Sequence, residues 1–348
     1  MLKAYFKKYQ LHFKFNALTS RGGMQVKNGY YLFITDGNDT GIGECSFIEG
    51  LSIDPLSDYE DKLTQLCNYI ASANEMDRPE LDWYPSIRFG WETAMLDLKA
   101  KGSKVLFKSA LTEGIAQIPI NGLIWMGNRD FMLEQIHQKL KDGFKCIKIK
   151  VGAVNFDDEI MLLEFIRSHF SADVMEIRVD ANGAFKEADV FEKLSRLARF
   201  NIHSIEQPVK QGQLSLMKAV CLKSPIPVAL DEELIDLKGI SKRELLETIK
   251  PQYIILKPAL LGGFEVCNEW IALATTLNTG WWATSALESN IGLNAIAQWV
   301  FTKSETIVQG LGTGGLYTAN ISSPLFIKNG YLGYNPQKQW GRIEEVLN

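Results

Sequence analysis

The chain has 348 residues, of which 46% are hydrophobic and 22% charged, and its formal net charge is −4. This composition is typical of an ordinary globular protein, and the acidic balance argues against a nucleic-acid-binding protein, which would need a basic face. No apolar stretch is long enough to cross a bilayer, and we expect no secretory signal because residues 1–15 lack an apolar core. The length predicts one large domain and a smaller one.

Cysteine usage indicates the redox compartment. The five cysteines are odd in number, scattered and never spaced as Cys-x-x-Cys; they are Cys45, Cys67, Cys146, Cys221 and Cys267. This pattern favours reduced thiols in a cytoplasmic protein over a disulfide framework or a zinc site.

The first 115 residues predict a compact α+β domain. Aromatic-rich segments read as strands, a Gly-rich turn separates the second strand from the third, and two apolar stripes at helical spacing follow. The predicted strands are 3–15, 30–35 and 42–45, and the predicted helices are 58–73 and 87–101. Residues 20–24 are predicted to form a flexible loop between the first two strands.

From residue 117 the pattern changes to strands alternating with helices, which predicts a parallel α/β barrel over residues 116–315. No Gly-rich nucleotide fingerprint follows a strand, which argues against an open doubly wound sheet. The predicted strands are 118–124, 145–150, 175–180, 202–206, 227–231, 253–257, 282–285 and 306–309, with helices at 130–142, 157–169 and 187–200. Residues 316–348 are expected to return and pack on the N-terminal domain.

Five charged residues end successive apolar runs at intervals of 30, 26, 25 and 26 residues: Lys150, Asp180, Glu206, Asp231 and Lys257. One βαβ unit has about this length, so the spacing places each group at the carboxyl end of a parallel strand. In a barrel these ends meet at one mouth, where catalysis is expected. Any single one of them could instead be a helix cap or a solvated loop residue, but five in register favour a functional site.

The three acids offer hard oxygen ligands. Asp180, Glu206 and Asp231 have no His or Cys partner nearby in the pattern, which favours Mg²⁺ or Mn²⁺ over zinc. The four histidines form no ligand set, and His203 is predicted to be a packing residue at the other end of its strand.

The lysines offer acid–base chemistry. Lys148 and Lys150 leave their strand on the same side, and crowding of two cations favours a neutral lysine base near neutral pH. Lys150 and Lys257 come from strands on opposite sides of the predicted metal. A metal-bound carboxylate substrate could therefore lose its α-proton to one lysine while the other stabilises the negative charge.

The motifs that carry these groups resemble a known family. They are Lys148-x-Lys150, Asp180-Ala-Asn182, Glu206-Gln-Pro208, Leu230-Asp-Glu232 and Lys257-Pro258. In order and spacing they are similar to the enolase superfamily, and more narrowly to its muconate lactonising enzyme subgroup. The resemblance implies a (β/α)7β barrel, TIM-like, with an α+β N-terminal capping domain. It also implies that the three acids bind the metal, that Lys150 is the general base, that Lys257 is the opposing cation, and that Lys148 assists.

Three features resemble the o-succinylbenzoate synthases of the subgroup. They are Arg178 two positions before Asp180, the run from Ser285 to Ser289, and the Gly-rich segment 310–314. The resemblance implies a lyase that dehydrates 2-succinyl-6-hydroxy-2,4-cyclohexadiene-1-carboxylate to 2-succinylbenzoate in menaquinone biosynthesis. It makes Arg178, Ser285 and Gly312 the expected substrate-binding residues. Loops at 18–25 and 47–54 are expected to close over the succinyl arm, with Arg21 or Phe47 taking part.

Alternatives remain open at this point. An N-acylamino acid racemase or a dipeptide epimerase of the same subgroup would use the same five groups, although no acidic residue between 306 and 343 is available to hold a substrate ammonium. A catalytically silent, metal-binding relative is a second class. The partner is expected to be a small carboxylate, with no membrane and no nucleic acid, and a homo-oligomer is left open.

Overall fold

The computed structural model describes residues 1–19, 22–72, 79–152, 155–304 and 306–347. Arg21, a predicted substrate contact, lies outside these residues. No helix in the described ranges is both long and apolar enough to cross a membrane.

The N-terminal part is a three-stranded antiparallel sheet with two helices. Its strands are β1 (Lys3–Thr19), β2 (Gly22–Thr35) and β3 (Thr40–Cys45), in that order across the sheet, and its helices are α1 (Tyr59–Ser72) and α2 (Pro85–Lys99). Gly41 and Gly43 let α2 lie directly on β3, because a Cβ at either position would meet the backbone of α2 at 2.2 or 1.9 Å. Close packing of strand and helix therefore depends on these two glycines.

The loop predicted at 20–24 is wrong for residues 22–24. Gly22, Gly23 and Met24 pair with Thr19, Leu18 and Ala17, so β1 and β2 form one long hairpin arm. Glycines are typical of loops, so the sequence predicted a loop here. Strand pairing uses only backbone N–H and C=O groups, and glycines can therefore take part in it.

The second part is a parallel sheet of seven strands that follow one another in chain order. They are β5 (Gly122–Ile124), β6 (Cys146–Lys150), β7 (Glu176–Asp180), β8 (Ser204–Glu206), β9 (Val228–Leu230), β10 (Tyr253–Leu256) and β11 (Gly280–Ala283). The helices between and after them are α3 (Arg129–Lys141), α4 (Phe156–His169), α5 (Val190–Ala198), α6 (Leu214–Lys223), α7 (Lys242–Ile249), α8 (Pro258–Leu261), α9 (Phe264–Thr276) and α10 (Asn290–Phe301). Apolar residues of the parallel strands and of the helices pack together in one continuous core.

The eighth strand predicted at 306–309 does not form. Gln309 bridges to Ile120 and Gly310 to Thr284, so this segment joins the first and last strands of the sheet by isolated parallel bridges. The Gln309 side chain accepts a hydrogen bond from the Ala283 amide at 2.7 Å. A side chain thus replaces part of the backbone ladder that a regular strand would have supplied.

The C-terminal tail contacts both parts of the molecule. Its hairpin, β12 (Leu325–Lys328) and β13 (Tyr331–Tyr334), pairs with the short strand β4 (Ile118–Pro119). Before the hairpin, the Lys14 amide donates to the Leu316 carbonyl at 3.0 Å, and the Thr318 amide donates to the His12 carbonyl at 2.8 Å. The tail therefore connects the N-terminal sheet to the start of the parallel sheet.

Candidate active site

The strand-end charges lie side by side at one edge of the parallel sheet. Lys150 is opposite Asp180 in the register of β6 and β7, and Asp180 is opposite Glu206 in the register of β7 and β8. Asp231 and Lys257 directly follow β9 and β10, the next two strands. The regular spacing in the sequence thus corresponds to neighbouring positions in space.

Ion pairs join these groups in the buried interior. The Lys148 ammonium lies 2.9 Å from Asp180 Oδ2 and donates to Glu206 Oε2. Lys257 Nζ lies 2.5 Å from Asp231 Oδ2, whereas Lys150 Nζ is 3.9 Å from Asp180 Oδ2. Two of the lysines are therefore tightly paired with carboxylates, and Lys150 is held more loosely.

The surroundings push the lysine pKa values apart. Burial lowers the pKa of Lys148 and of Lys257, but adjacent carboxylates (Asp180 and Glu206 for the first, Asp231 and Glu232 for the second) outweigh burial and raise both pKa values. Burial lowers the pKa of Lys150, and the ammonium groups of Lys148 and Lys257 add to this effect against the opposing charge of Asp180. Lys150 is thus suited to be a base and Lys257 to remain a cation.

Asn182 orients the loosely held lysine. The Lys150 ammonium donates to Asn182 Oδ1 at 2.7 Å, and Asn182 Nδ2 donates to Glu232 Oε1 at 3.1 Å. Asn182 has a φ of 43°, a left-handed conformation that Asn tolerates better than most residues. Sequence reasoning assigned no role to Asn182, although it is the last residue of the Asp-Ala-Asn motif.

The carboxylates retain acceptor capacity that fits a cation. Glu206 Oε1 and Asp231 Oδ1 are buried and accept no hydrogen bond from the described residues. Burial, the largest effect, raises the pKa of Glu206 to about 7, so its charged form needs a neighbouring cation. Among the described residues, no group of three or more acidic, His or Cys side chains is already arranged to hold a metal, and the Lys148 ammonium contacts both Asp180 and Glu206. By donor chemistry, the carboxylate oxygens are the ligands that hard divalent ions prefer.

A cavity of ≈ 380 Å³ lies next to this cluster; Asp180 lines it, whereas Glu206 and Asp231 do not. The sheet contributes Lys148, Lys150, Asp180 and Lys257 to its wall, and the predicted substrate residues Ser285 and Gly312 line it as well. The N-terminal part contributes residues 22–24, 26–28, 47–49 and 51. Phe47 and parts of both predicted closing segments therefore face the same space as the catalytic candidates.

Ser285 is held in place by buried groups. Its hydroxyl donates to Glu288 Oε2 at 2.5 Å, and the Thr313 hydroxyl donates to Ser285 Oγ at 2.7 Å. Burial is the largest effect on Glu288 and raises the pKa of this carboxyl to about 7. Ser285 thus faces the cavity with a fixed orientation.

Arg178 does not line the cavity. Its side chain is 2% exposed, pairs with Glu176 at 2.7 Å, donates to the Val308 carbonyl at 3.0 Å and stacks on Trp282. The predicted substrate contact of Arg178 does not fit this placement, and a packing role does. His203 packs nearby on Tyr253 and Trp282, as a packing residue should.

Glu44 joins the N-terminal sheet to α10, a contact that sequence reasoning missed. This fully buried carboxylate accepts from the Ser289 amide at 2.7 Å, the Ser289 hydroxyl at 2.5 Å and the Gly292 amide at 2.8 Å, and also from the Tyr9 hydroxyl. Negative charge at a helix N-terminus is favourable. The interaction spans 245 residues of sequence, so no local pattern could have revealed it.

Comparison with known proteins places the chain in a family. A family model described as Enolase C-terminal domain-like matches residues 132–337. The o-succinylbenzoate synthase of Desulfotalea psychrophila is 43% identical, over 94% of this chain and 98% of that protein. The chain therefore belongs to the Enolase C-terminal domain-like family, and the predicted resemblance to the enolase superfamily is confirmed.

Solved structures agree with this assignment. The crystal structure of MenC from D. psychrophila has a TM-score of 0.85 at 42% identity and covers 95% of this chain and 99% of its own. The L-Ala-D/L-Glu epimerase of Bacillus subtilis has a TM-score of 0.81 at 17% identity, with 95% of each chain covered, and shows the shared fold alone.

Proposed function

We propose that this protein is an o-succinylbenzoate synthase, a lyase that dehydrates 2-succinyl-6-hydroxy-2,4-cyclohexadiene-1-carboxylate to 2-succinylbenzoate in menaquinone biosynthesis. The observation that carries the proposal is the pair of lysines with opposite pKa shifts facing one cavity: the pKa of Lys150 is lowered and that of Lys257 raised. The 43% identical o-succinylbenzoate synthase of D. psychrophila supports this choice of reaction within the superfamily.

We also propose the finer architecture. The parallel sheet is a (β/α)7β barrel closed by the bridges of Gln309 and Gly310, and residues 1–115 form a capping domain over residues 116–315. Hydrogen bonds from residues 309 and 310 to both sides of the gap support closure of the barrel. The pairing of residues 316–318 with the N-terminal sheet supports a tail that packs back on the cap.

Asp180, Glu206 and Asp231 would hold the metal, Mg²⁺ or Mn²⁺. Buried oxygens without hydrogen bonds on Glu206 and Asp231 support this, as do the hard ligands themselves. A dipeptide epimerase of Enterococcus faecalis with the same fold (TM-score 0.81) was crystallised with Mg. When bound, the metal would stabilise the negative charge that develops on the substrate carboxylate.

The three lysines then have different roles in the reaction. Lys150, oriented by Asn182, removes the proton on the carbon next to the carboxylate and returns it to the departing hydroxyl, so that water leaves and the ring becomes aromatic. Lys257 remains protonated and faces the negative charge from the other side. Lys148, paired with Asp180 and Glu206, adds positive charge near Lys150 and thereby helps to keep Lys150 neutral.

The racemase and epimerase reactions are less well supported. An L-amino acid-D/L-Glu epimerase of Francisella philomiragia is 26% identical over 62% of this chain, a more distant match than the synthase. The absence of acidic residues at 306–343 also leaves a substrate ammonium without a partner in that region. The buried or half-buried free cysteines support a cytoplasmic enzyme.

An absorbance assay with the cyclohexadiene substrate tests the function. We expect turnover with Mg²⁺, loss of turnover after chelation, and recovery when Mg²⁺ or Mn²⁺ is restored. L-Ala-L-Glu and an N-succinyl-L-amino acid, each a single stereoisomer, are run in parallel by polarimetry. Turnover of either of these without turnover of the cyclohexadiene would overturn the dehydration proposal and favour racemisation or epimerisation.

A further inference from the structure

Lys27, on β2, is a buried cation that the proposed mechanism does not use. The residue is 2% exposed, and its ammonium donates to the backbone carbonyls of Asn28, at 2.9 Å, and Phe47. Among the described residues, no carboxylate lies within 4 Å of Lys27 Nζ. Burial of an ammonium without a directly paired carboxylate is costly, so such a group marks a candidate binding site.

The position of Lys27 gives this cation access to a ligand. Lys27 lines the cavity together with its two neighbours Val26 and Asn28, with Phe47 and with Glu49. The Lys27 ammonium contacts Asn28 and Phe47 of the N-terminal part, whereas the Lys150 ammonium contacts Asn182 and Asp180 of the parallel sheet. Lys27 therefore occupies a different part of the cavity from the proton-transfer groups.

The ammonium remains charged at neutral pH. Burial lowers the pKa of Lys27 to about 8, against the raising effect of Glu44 and Glu288. The groups in direct contact with the ammonium are neutral, namely two backbone carbonyls and the Phe47 ring 5.4 Å from Nζ. Glu44, Glu288, Glu49 and Asp54 act on the charge from further away.

We infer that Lys27 binds a second carboxylate of the substrate, the one at the end of the succinyl arm, while the ring carboxylate lies among the groups of the parallel sheet. This inference rests on the proposed function, whose substrate carries two carboxylates separated by a short flexible chain. Lys27 is then the residue that makes the cavity select a dicarboxylate over a monocarboxylate of the same shape.

A purely structural role is the alternative. Lys27 could serve only to attach the 47–54 segment to β2 through the Phe47 carbonyl. In that case its removal would weaken the binding of every ligand in the cavity to the same extent, whether or not the ligand has a distal carboxylate.

Two ligands that differ at one group separate these roles. 2-Succinylbenzoate carries the distal carboxylate, and 2-butanoylbenzoate has a methyl group in its place. Isothermal titration calorimetry, in the presence of Mg²⁺, gives the Kd of each for the full-length parent, for Lys27→Met and for Lys27→Arg. Lys104→Met is the matched control, because Lys104 is a half-buried lysine of the same part of the chain that lies over Trp340 and does not line the cavity.

We expect the parent and Lys104→Met to bind 2-succinylbenzoate at least about 30-fold more tightly than 2-butanoylbenzoate, as for a desolvated charge pair. Lys27→Met should reduce this preference to less than about threefold while leaving 2-butanoylbenzoate binding unchanged, and Lys27→Arg should restore part of it. A parent with no preference overturns the inference without any variant. Equal weakening of both ligands in Lys27→Met, or a preference that survives in it, overturns it as well.

Failure of the proposed function gives a different result. A parent enzyme that does not turn over the cyclohexadiene refutes the synthase proposal whatever its ligand preference. A parent that turns it over but does not discriminate between the two ligands refutes only the role of Lys27.

Discussion

Lys150 and Arg178 show what a strand pattern can and cannot predict at the scale of single residues. Alternation along β6 and β7 predicts which side chains share a side of the sheet, and Lys150 indeed lies next to Asp180. Arg178 shares the side of Asp180 but lies two residues earlier, about 6.6 Å further from the strand end. Its guanidinium therefore contacts Glu176 and Trp282 and does not reach the cavity. Alternation predicts the side of the sheet on which a residue lies, but not its distance from the cavity.

Replacement of Arg178 tests this packing role. Arg178→Met should lower the free energy of unfolding by about 3 kcal/mol, because it leaves Glu176 and the Val308 carbonyl without their buried partner. The KM for the cyclohexadiene should stay within about twofold of the parent. Urea unfolding and steady-state kinetics measure the two quantities. A KM raised tenfold with unchanged stability would instead restore the predicted substrate contact.

At the scale of elements, sequence periodicity predicted the five bounded helices to within three residues at each end, but not the groups that satisfy those ends. The predicted helix 87–101 corresponds to α2, but the group that satisfies its N-terminus comes from a distant loop: Asp54 accepts from the Ser86 amide at 3.0 Å and from the Ser86 hydroxyl at 2.7 Å. Asp54 is 32 residues away from Ser86, so no capping motif appears in the sequence.

Asp54 also predicts a pH dependence. Burial, the largest effect, raises the pKa of Asp54 from 3.8 to about 6, so between pH 4 and pH 6 the folded state binds a proton that the unfolded state has released. This group therefore stabilises the fold least above pH 6, and its contribution falls by up to about 3 kcal/mol as the pH rises through that window.

Asp54→Asn should remove this dependence while keeping an acceptor for Ser86. The free energy of unfolding of the variant minus that of the parent should increase by up to about 3 kcal/mol from pH 4 to pH 8, because only the parent loses stability in this range. Chemical denaturation across that range measures the difference, with the exposed Asp61→Asn as a matched charge control. A constant difference between Asp54→Asn and the parent would contradict the raised pKa.

At the scale of the whole molecule, the change from antiparallel strands to a strand–helix alternation predicts a boundary between two parts near residue 115. That change is visible because the periodicity of strands and helices is a local property of the sequence. The contacts between the two parts are not periodic, and Glu44 illustrates them: it satisfies the N-terminus of α10 from the far side of the interface. The burial of Lys27 was also not predicted, because a lysine on a strand is ordinarily expected to be exposed to solvent.

Glu44→Ala should therefore affect stability and activity together. It leaves the amides of Ser289 and Gly292 and the Tyr9 hydroxyl buried without their acceptor, at a cost of about 3 kcal/mol or more. Because both parts of the chain line the cavity, we also expect a higher KM. Glu44→Gln keeps one acceptor and should lose less, and Asp61→Ala, which removes an exposed carboxylate on α1, is the control. A loss below 1 kcal/mol for Glu44→Ala would show that the interface does not depend on this residue.

The most direct test of the account is turnover by Lys150→Ala. Lys150 makes one hydrogen bond, to Asn182, and a loose ion pair among the described residues, so its loss should leave the fold intact. The absorbance assay with the cyclohexadiene should show kcat lowered by about 10²–10⁴-fold, the usual contribution of a general base, while Lys145→Ala, an exposed lysine preceding the same strand, retains the parent rate. Undiminished turnover by a folded Lys150→Ala would contradict the assignment of this lysine as the base.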